Sequence, residues 1–410
     1  MKKFTLGKYN GYVWKGVNKW GKKGKGIIVA DSMENAENEA HKLGITITHL
    51  KKSPFWLLPG SATNKIKIVD IVFIMRQLST LINAGVPLVQ SLDIAATGID
   101  KVKLRALMLT IRDDVANGQT FAEALTPYPQ FFNPLICGLI QAGEQSGMLD
   151  KMVAEVANYL EYHEYLKNRI KRALYYPLTV LTLAVLICIG MLLFLVPRFE
   201  KIYKSFNAKL PAFTMKVINI SHGLQEHWIM IVASVVVLVY GYKKLKEKSE
   251  AFRYVLDTMA IRIFLFGPLV QKAIISRICS TMAITLGAGI PLIESLQRAA
   301  NVSNNQLFRD AILQTREQVT QGESVALSMR STQMFPPMVS QMIEIGEKSG
   351  ALDKMFDKVG QYYRDQVNTS VEGLTTMIEP LMIIFIGALI GVFVLAMYLP
   401  IFNLGMAIKG

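Results

Sequence analysis

The stretch GEQSGMLDK at residues 143–151 recurs as GEKSGALDK at residues 346–354, with seven of the nine positions identical. A second pair of stretches, AGVPL at 84–88 and AGIPL at 288–292, lies upstream in the same order. The separation is 203 residues for the first pair and 204 for the second, so one deletion accounts for the difference. Self-similarity at a fixed separation indicates a duplicated structural unit.

Each copy of the repeat continues into an apolar run that is long enough to cross a membrane. The first run, Ala173 to Val196, has 24 uncharged residues, and the last, Pro380 to Phe402, has 23. A helix of about 20 residues spans the hydrocarbon core of a bilayer. Between the copies, Trp228 to Tyr242 is a shorter uncharged run that its flanking residues extend. We predict three transmembrane helices, at 173–196, 224–242 and 373–402.

Clusters of Lys and Arg give the orientation, because such residues are retained on the cytoplasmic side of a membrane. Two clusters flank the first two predicted spans: Lys167, Arg169, Lys171 and Arg172, and Lys243, Lys244, Lys246 and Lys248. They predict that residues 1–172 and 243–372 are cytoplasmic. The same orientation predicts that residues 197–223 form a periplasmic loop and residues 403–410 a periplasmic tail.

The repeated domain is predicted to be helical, so the fold class is mainly α in an integral membrane protein. Residues 66–172 and 243–372 would each form a cytoplasmic bundle of six helices. Apolar residues recur at helical spacing in the first copy: Leu104, Leu107, Met108, Ile111 and Val115. Thr120 and Glu123 have the spacing of a capping box. The last helix would begin near Leu149 and continue into the apolar run.

Residues 1–52 differ in character and predict a small α/β module. Three short stretches are typical of strands: Tyr12–Trp14, Gly26–Ala30 and Ile45–Leu50. A helix is predicted from about Met33 to Leu43. Residues 53–65 contain two prolines and are predicted to be a linker or a contact with the membrane surface.

The composition fits a membrane protein with substantial soluble parts. Hydrophobic residues make up 51% of the chain and charged residues only 19%, which is too apolar for an ordinary soluble enzyme. The formal net charge is +14, and residues 1–60 hold eleven lysines against four acids. No nucleic-acid recognition motif accompanies this charge, so we predict a contact with anionic lipid and none with nucleic acid.

Three features superficially resemble catalytic or ligand sites. Residues 16–23 differ from a P-loop in one position, Lys23, and a strand-like run follows where a helix is required, which favours a basic hairpin turn. Residues 143–147 have the order G-x-x-S-G, and no strand precedes this serine. The three cysteines and five histidines lack ligand spacing. We therefore predict no catalytic residue, no metal and no cofactor.

The repeated turns contain the strongest candidates for a functional role. Their glycines would permit positive φ, and their Glu or Ser side chains would accept from free N–H groups. Glu144 and Glu347 could either contact a partner or cap a helix, and their turn-forming neighbours favour the cap. The candidate turn and partner-contact residues are Gly85, Pro87, Gly143, Glu144, Ser146, Gly147, Gly289, Pro291, Gly346, Glu347, Ser349 and Gly350.

A second set of candidates lies in or beside the predicted spans. Glu379 is a carboxylate at the edge of the third span, which makes it a functional candidate or an interfacial residue that reaches the headgroups. Gly387 and Gly391 have the spacing of a close helix contact, either with the chain's own spans or with a partner helix. The candidates for packing within the membrane are Gly387, Gly391, Glu379, Pro177 and Pro380.

These repeated blocks resemble the GspF/PilC family of inner-membrane platform proteins over nearly the whole chain. The resemblance is carried by an ordered set of motifs: Arg76-Gln77-Leu78, Ala84-Gly85-Val86-Pro87-Leu88, Gly143-Glu144 with Ser146-Gly147, Ala173-Leu174-Tyr175-Tyr176-Pro177, Val196-Pro197-x-Phe199 and Leu210-Pro211-Ala212-x-Thr214. The Trp14-x-Gly16 start and the turn from Gly21 to Gly26 are more similar to the pilus branch of the family than to its secretion branch.

The resemblance implies a homo-oligomer in the bacterial inner membrane, with a cytoplasmic N-terminus and a periplasmic C-terminus. It implies a platform beneath a growing type IV pilus. The implied partners are the hexameric motor ATPases for extension and retraction, pilin subunits, inner-membrane alignment proteins and membrane lipid. Arg76 aligns with Ser280 in the second copy, so equal roles for the two bundles do not follow.

Two other functions remain open at this point, besides the equivalent platform of a type II secretion system. A small-solute transporter could be built from duplicated units, but three spans with one marginal charge leave little to bind a substrate. A membrane-bound ATPase would need a complete nucleotide site, which the sequence does not contain.

Overall fold

The computed structural model describes residues 9–18, 20–42, 44–53, 65–198, 201, 211–264 and 266–407. Within them the fold is mainly helical, with one three-stranded antiparallel sheet. The chain divides into two compact units. The first unit comprises Met1–Tyr165, Cys279–Val302 and Ile312–Asp357, and the second comprises Leu166–Ile278, Ser303–Ala311 and Lys358–Gly410. Parts of the second repeat copy therefore fold together with the first copy.

The N-terminal module is a sheet covered by one helix, as predicted. Its elements are β1 (Asn10–Asn18), β2 (Lys23–Ala30), α1 (Met33–Lys42) and β3 (Ile45–Ser53). The strand order is β2-β1-β3 with both pairings antiparallel. Tyr12 and Ile28 pack with Ala36 and Ala40 of α1, because alternate residues of a strand share one face.

The stretch at 16–23 that resembles a P-loop belongs to the β1–β2 hairpin. Gly16 lies in β1 and Lys23 opens β2, so a strand follows the glycines and lysines. A phosphate-binding loop needs a helix N-terminus at this point. The interpretation as a basic hairpin turn is the one that fits the geometry.

The first repeat copy contains a series of helices connected by short turns. They are α2 (Ile68–Asn83), α3 (Leu88–Thr97), α4 (Val102–Ala116), α5 (Phe121–Leu125), α6 (Pro134–Ser146) and α7 (Leu149–Gly190). The predicted apolar stripe of α4 is buried from Leu104 to Ile111. Phe121 of the short helix α5 is fully buried in the same core. Burial of such side chains contributes about 1.5–3 kcal/mol each, which explains why a five-residue helix persists here.

The rest of the chain begins with two helices between the repeat copies, α8 (Ala212–Lys248) and α9 (Glu250–Arg262). The second copy then follows the first helix by helix: α10 (Gly267–Gly287), α11 (Leu292–Val302), α12 (Gln306–Thr320), α13 (Val325–Ser331), α14 (Pro337–Ser349) and α15 (Leu352–Ala407). By the repeat offset, the start of α9 aligns with β3 of the N-terminal module, which is a strand and not a helix. The two copies therefore differ in what precedes their shared helices.

The last helix of each copy continues into the apolar run, as the sequence predicts. Helix α7 is continuous from Leu149 to Gly190, and α15 from Leu352 to Ala407. A π-helical turn at Met191–Leu195 follows α7 directly, which the apolar sequence gave no reason to expect. Such turns insert one residue into the helical ladder and shift the side chains that follow.

The predicted loop at 197–223 is wrong in its second half, because α8 starts at Ala212. Pro211 occupies the N-cap position of this helix. Thr214, Val217, Ile218 and Ser221 are buried at helical spacing, a periodicity that the sequence analysis missed among polar residues. The first half of the predicted loop lies largely outside the described residues, as do most of the linker residues 53–65. Of the predicted tail at 403–410, residues 403–407 belong to α15 and residues 408–410 lie outside the described part of the chain.

In the part of the chain that the structure describes, four helices are long and apolar enough to cross a membrane, one more than the number of predicted spans. The additional helix is α10. Of its apolar stretch of 18 residues, 61% is buried within the fold. The corresponding values for α7, α8 and α15 are 6%, 0% and 11%. Ile275, Ile278 and Met282 of α10 are fully buried, so its apolarity is accounted for by a protein core.

Candidate functional site

The two repeated turns have the same backbone geometry. Helix α6 ends at Gly147 and α14 ends at Gly350, and both glycines have φ of +68°. In the first turn the N–H of Met148 donates to the carbonyl of Gly143 at 2.9 Å, and Ala351 repeats this bond at 2.9 Å in the second. This is the hydrogen bond of a Schellman motif, in which glycine takes the left-handed position without steric cost.

Gly143 and Gly346 are required for a different reason, the close approach of the next helix. A Cβ added at Gly143 would lie 2.8 Å from the Cβ of Met152 and 3.2 Å from the Cα of Leu149. A Cβ added at Gly346 would lie 2.8 Å from Cγ of Met355. Any larger side chain would push α7 away from α6, or α15 away from α14. The position therefore fixes how the long helix leaves each turn.

Glu144 and Glu347 each cap a helix, but the capped helix lies earlier in the chain than the repeated turn. The two carboxylate oxygens of Glu144 accept from the N–H groups of Phe121 at 2.6 Å and Ala122 at 3.1 Å. Those of Glu347 accept from Val325 at 2.8 Å and Ala326 at 3.3 Å. Each carboxylate thus takes two of the four N–H groups that a helix N-terminus leaves without an intrahelical partner, and its charge favours that end of the helix dipole.

The hydroxyl that precedes α5 or α13 completes the same arrangement. The N–H of Glu123 donates to Oγ1 of Thr120 at 3.2 Å, and that of Leu327 donates to Oγ of Ser324 at 3.1 Å. The predicted capping box of Thr120 and Glu123 is present. Both short helices therefore depend on one hydroxyl and one distant carboxylate, in the same places in the two copies.

We predicted that the hydroxyls of Ser146 and Ser349 accept from free N–H groups. In the structure both hydroxyls act as donors instead. The hydroxyl of Ser146 donates to the carbonyl of Ala142 at 2.7 Å, and that of Ser349 donates to Ile345 at 2.8 Å. A serine inside a helix can donate its hydroxyl to the carbonyl four residues back, which is also the acceptor of the serine's own backbone N–H. These hydroxyls are therefore held within the last turn of the helix and do not act as caps.

The upstream turns are also alike in the two copies. Gly85 has φ of +82° and Gly289 has φ of +77°. Pro87 and Pro291 follow two residues later, and their carbonyls accept the N–H of Ser91 at 2.8 Å and of Ser295 at 2.9 Å. The hydroxyl of each serine also donates to the residue after the glycine, Val86 or Ile290, at 3.2 Å. These candidate residues form structural turns.

The copies differ at the ion pair of Arg76. Its guanidinium donates to both carboxylate oxygens of Glu161, at 2.6 Å each, and to Oδ1 of Asn158 at 2.7 Å. The equivalent positions in the second copy hold Ser280, Arg364 and Gln361. The bidentate pair that joins α2 to α7 is thus a property of the first copy.

We expect this pair to stabilise the fold at neutral pH and to lose its effect in acid. The hydrogen bonds from Arg76 hold the pKa of Glu161 below its usual range. Stability from a depressed carboxyl pKa is present above the unfolded pKa of about 4.3 and is lost as the pH falls through the folded pKa. A double-mutant cycle of Arg76→Gln and Glu161→Gln should give a coupling of about 0.5–1 kcal/mol at pH 7, since both side chains are partly exposed.

The matched control is a second double-mutant cycle, of Arg76→Gln and Asn158→Ala. Asn158→Ala removes the neutral acceptor of Arg76 and leaves the carboxylate of Glu161 in place. Its coupling should not change between pH 7 and pH 4. A coupling between positions 76 and 161 that persists unchanged in acid would contradict the role of the charged pair.

A second network, missed by the sequence analysis, joins the N-terminal module to the first copy. Tyr9 donates its hydroxyl to Oδ2 of Asp113 at 2.7 Å and accepts from Nη2 of Arg112 at 3.0 Å. Arg112 also pairs with Asp93 and Asp113. Burial, reinforced by the bond to Asp113, raises the pKa of Tyr9 above its usual range. The only hint in the sequence was a charged pair at the end of the apolar stripe of α4.

The corresponding helix of the second copy, α12, differs from α4 in the burial of its residues and in the partner of its arginine. Ala106 of α4 is fully buried, whereas Asp310 occupies the matching position of α12 and is exposed. Arg316, at the position of Arg112, donates to Gln297 instead of an aspartate. The copies therefore keep the same turns but present different surfaces.

The membrane candidates occupy open positions in the long helices. A Cβ added at Gly387 or Gly391 would meet nothing within 4 Å, so neither glycine packs closely against another helix in the part of the chain described. Glu379 is exposed. Pro177 and Pro380 lie inside α7 and α15. A cavity of about 230 Å³ between these helices is lined by apolar residues that include Leu183, Cys188, Met191, Leu389, Ile390 and Phe393.

Polar contacts tie the start of α8 to the other apolar helices of the second unit. Thr214 donates from Oγ1 to the carbonyl of Ala396 at 2.9 Å, and Ser221 donates to the carbonyl of Leu192 in the π-helical turn. Hydrogen bonds of this kind stabilise helix packing where water is absent. Among the described residues, no group of three or more His, Cys, Asp or Glu side chains is placed to hold a metal ion.

The comparisons with known proteins agree with the repeat. The family model described as type II secretion system (T2SS), protein F, matches residues 74–197 and again residues 278–400. The type IV pilus assembly protein TapC of Aeromonas hydrophila is 40% identical over 393 residues, which is 96% of this chain and 95% of that protein. The type IV pilus assembly protein PilC of Pseudomonas aeruginosa is 39% identical over 364 residues, covering 89% and 97%. The type II secretion system protein F of the same organism is 29% identical over 390 residues, covering 94% and 96%.

Proposed function

This chain belongs to the type II secretion system protein F family, and we propose that it is the non-enzymatic inner-membrane platform of a type IV pilus assembly machine. Its identity to relatives named for pilus assembly reaches 40%, against 29% for a relative named as the secretion protein. That difference supports the pilus over the secretion system as the machine it serves. The secretion platform is the second candidate.

The observation that carries the proposal is the duplicated turn from which each long helix leaves. Each copy holds its short helix with one glutamate, closes the turn with one glycine and starts a helix that continues into an apolar run. Two folded helical domains attached in the same way to apolar helices suit a scaffold that transmits force. The arrangement leaves the chemistry to a partner.

We infer that α7, α8 and α15 are the spans and that α10 belongs to the second helical domain. The support is the burial of α10, because a lipid-facing helix has no reason to hide 61% of its apolar stretch in protein. With three spans, the lysine clusters support a cytoplasmic location for both helical domains and a periplasmic location for the end of α15. The domains are then within reach of a cytoplasmic motor.

The proposed partners follow from this placement. A hexameric motor ATPase would act on the cytoplasmic helical domains, and pilin subunits and alignment proteins would meet the chain in the membrane. Further copies of the chain would complete the platform. Because Glu144 and Glu347 are engaged as caps, the motor-contact surface is proposed to lie on other exposed residues of these domains.

Purified full-length protein in nanodiscs tests this proposal directly. We expect it to bind the pilus motor ATPase of the same organism and to change the rate of ATP hydrolysis, while hydrolysing no ATP alone. Deletion of the gene should abolish surface pili and leave type II secretion intact. Normal piliation with lost secretion would favour the second candidate, and motor turnover unaffected by saturating platform would contradict the coupling.

A further inference from the structure

Helix α9 presents an unusual set of exposed apolar side chains directly after a proposed span. Tyr254, Val255 and Met259 are 48%, 49% and 59% exposed, and in the turn that follows Ile263 and Phe264 are 51% and 87% exposed. We refer to these five residues as the α9 apolar face. Large apolar side chains grouped in this way mark a surface that contacts lipid or protein.

The helix is interrupted at Ser249, which is the C-cap residue of α8 and the N-cap residue of α9. Ser249 has an extended backbone, and its hydroxyl accepts the N–H of Phe252 at 3.2 Å. The rings of Tyr242 and Phe252 are 6.0 Å apart. In one continuous helix, residues ten apart would be separated by about 15 Å along the axis. Helix α9 therefore turns away from the axis of α8, and Phe252 in its first turn lies near Tyr242.

The level of Tyr242 in the bilayer follows from the length of the apolar run in α8. The 15 residues from Trp228 to Tyr242 cover about 22 Å, less than the bilayer core of about 30 Å. Lysines just beyond them can extend their ammonium groups to the headgroups, and Tyr favours this boundary. If α8 spans as proposed above, the first turn of α9 lies at the cytoplasmic headgroup layer.

The α9 apolar face is prevented from turning inward by contacts on the other side of the helix. Asp257 accepts the N–H of Gln306 at 2.9 Å, and its carbonyl accepts from the side chain of Asn305 at 3.3 Å. At 100° per residue, Asp257 lies about 160° around the helix from Val255 and from Met259, and about 60° from Tyr254. The start of α12 thus holds the side of α9 opposite Val255 and Met259, and these two side chains point away from it.

We infer that α9 and the turn after it lie in the cytoplasmic interface of the bilayer, with the α9 apolar face inserted among the lipids. The adjacent charges fit this occupant: Lys243, Lys244, Lys246, Lys248 and Arg262 are basic and suit anionic headgroups. A helix with apolar residues on one side and lysines at its flank is typical of interfacial binding. Attachment to α8 keeps the helix at the surface, so a weak affinity is sufficient.

This surface would give the second copy a fixed position against the membrane. Helix α9 contacts α12 through Asp257, and the lipid contact is made by the same helix. The inference rests on the proposed function only in requiring that α8 crosses the bilayer.

Spin labels attached to full-length protein in nanodiscs that contain phosphatidylglycerol test the inference. The three native cysteines are first replaced by alanine, and single cysteines are introduced as Val255→Cys, Met259→Cys or Phe264→Cys. Two further variants are controls: Ile345→Cys on α14, which is as exposed as the α9 residues, and Val236→Cys in the middle of α8. Collision rates with oxygen, which concentrates in lipid, and with a water-soluble nickel chelate give the depth of each label.

We expect labels at positions 255, 259 and 264 to collide several-fold more with oxygen than the label at 345, at a depth close to the headgroups. The label at 236 should be the deepest. Labels at 255, 259 and 264 that behave like the one at 345 would overturn the inference, while a deep label at 236 would still support the span. A label at 236 in water would contradict the proposed topology itself. Dipolar broadening between copies, with both reagents excluded from α9, would identify a second copy as the occupant and also overturn the inference.

Discussion

Replacing Glu144 by lysine is expected to lower the free energy of unfolding by about 3 kcal/mol. The carboxylate accepts two N–H groups at the start of α5, and Phe121, which carries one of them, is fully buried. Lysine cannot accept either bond, and its positive charge lies at the positive end of the helix dipole. The loss should be measurable as a lower melting temperature of the full-length protein in detergent or nanodiscs.

The second copy and a graded series provide the controls. Glu347→Lys should lower the melting temperature comparably, since Glu347 accepts the equivalent N–H groups of α13. Glu144→Gln keeps one acceptor and should cost about 1 kcal/mol. Glu317→Lys changes an exposed residue by the same charge and should stay within about 0.5 kcal/mol. Loss of motor binding in Glu144→Lys with an unchanged melting temperature would show that Glu144 is a contact residue after all.

Features that depend on neighbours in the sequence could be predicted well. Gly147 and Gly350 were recognised as positions of positive φ because each stands between a polar helix end and a new helical pattern. Thr120 was recognised as a cap from the glutamate three residues later. The module at the N-terminus was predicted because its strands and helix have different periodicities. In each case the deciding interaction spans only a few residues.

Features that depend on distant residues could not be predicted from one sequence. The target of Glu144 lies 23 residues upstream, and no local rule relates a turn to a helix that far away. The bond between Tyr9 and Asp113 joins positions 104 residues apart. One signal was nevertheless available: Glu144 recurs as Glu347, and a glutamate kept in both copies of a turn suggests a role that the fold repeats. Only the three-dimensional placement shows that this role is a cap.

The start of α8 and the position of α9 were missed for a related reason. The sequence at 212–223 mixes polar and apolar residues, and its buried stripe is meaningful only when another helix packs against it. The apolar residues of α9 were assigned to the second bundle, although they are exposed. Burial against protein and burial against lipid select the same residue types, so composition cannot distinguish them.

The two long helices share one irregularity, a proline at the same repeat position. Pro177 lies in α7 and Pro380 in α15, each near the start of the apolar run. A proline inside a helix has no N–H for the carbonyl four residues earlier, which is that of Ala173 or Thr376. The prolines are thus weak points at the place where each helix enters the proposed membrane region.

Pro177→Ala with Pro380→Ala is expected to raise the melting temperature and to reduce pilus assembly. Alanine restores the missing N–H and is favoured over proline by up to about 3 kcal/mol in a helix interior. The gain should be smaller where neighbouring groups already satisfy the free carbonyl. Assembly should fall because, in the proposed function, a motor that acts on the helical domains must move the proposed spans, and a helix bends most readily where its hydrogen-bond ladder is interrupted. Motor binding by the full-length protein should stay unchanged.

The chain offers a matched pair of prolines as the control. Pro134 and Pro337 stand at the first turns of α6 and α14, also 203 residues apart, where proline lacks no needed N–H. Replacing them by alanine should change the free energy of unfolding by no more than about 0.5 kcal/mol. The number of pili should stay the same. A Pro177→Ala, Pro380→Ala variant that is more stable and assembles pili normally would show that the prolines only mark the membrane boundary. A variant that is less stable would show that the packing of the neighbouring helices requires the backbone geometry that the prolines impose.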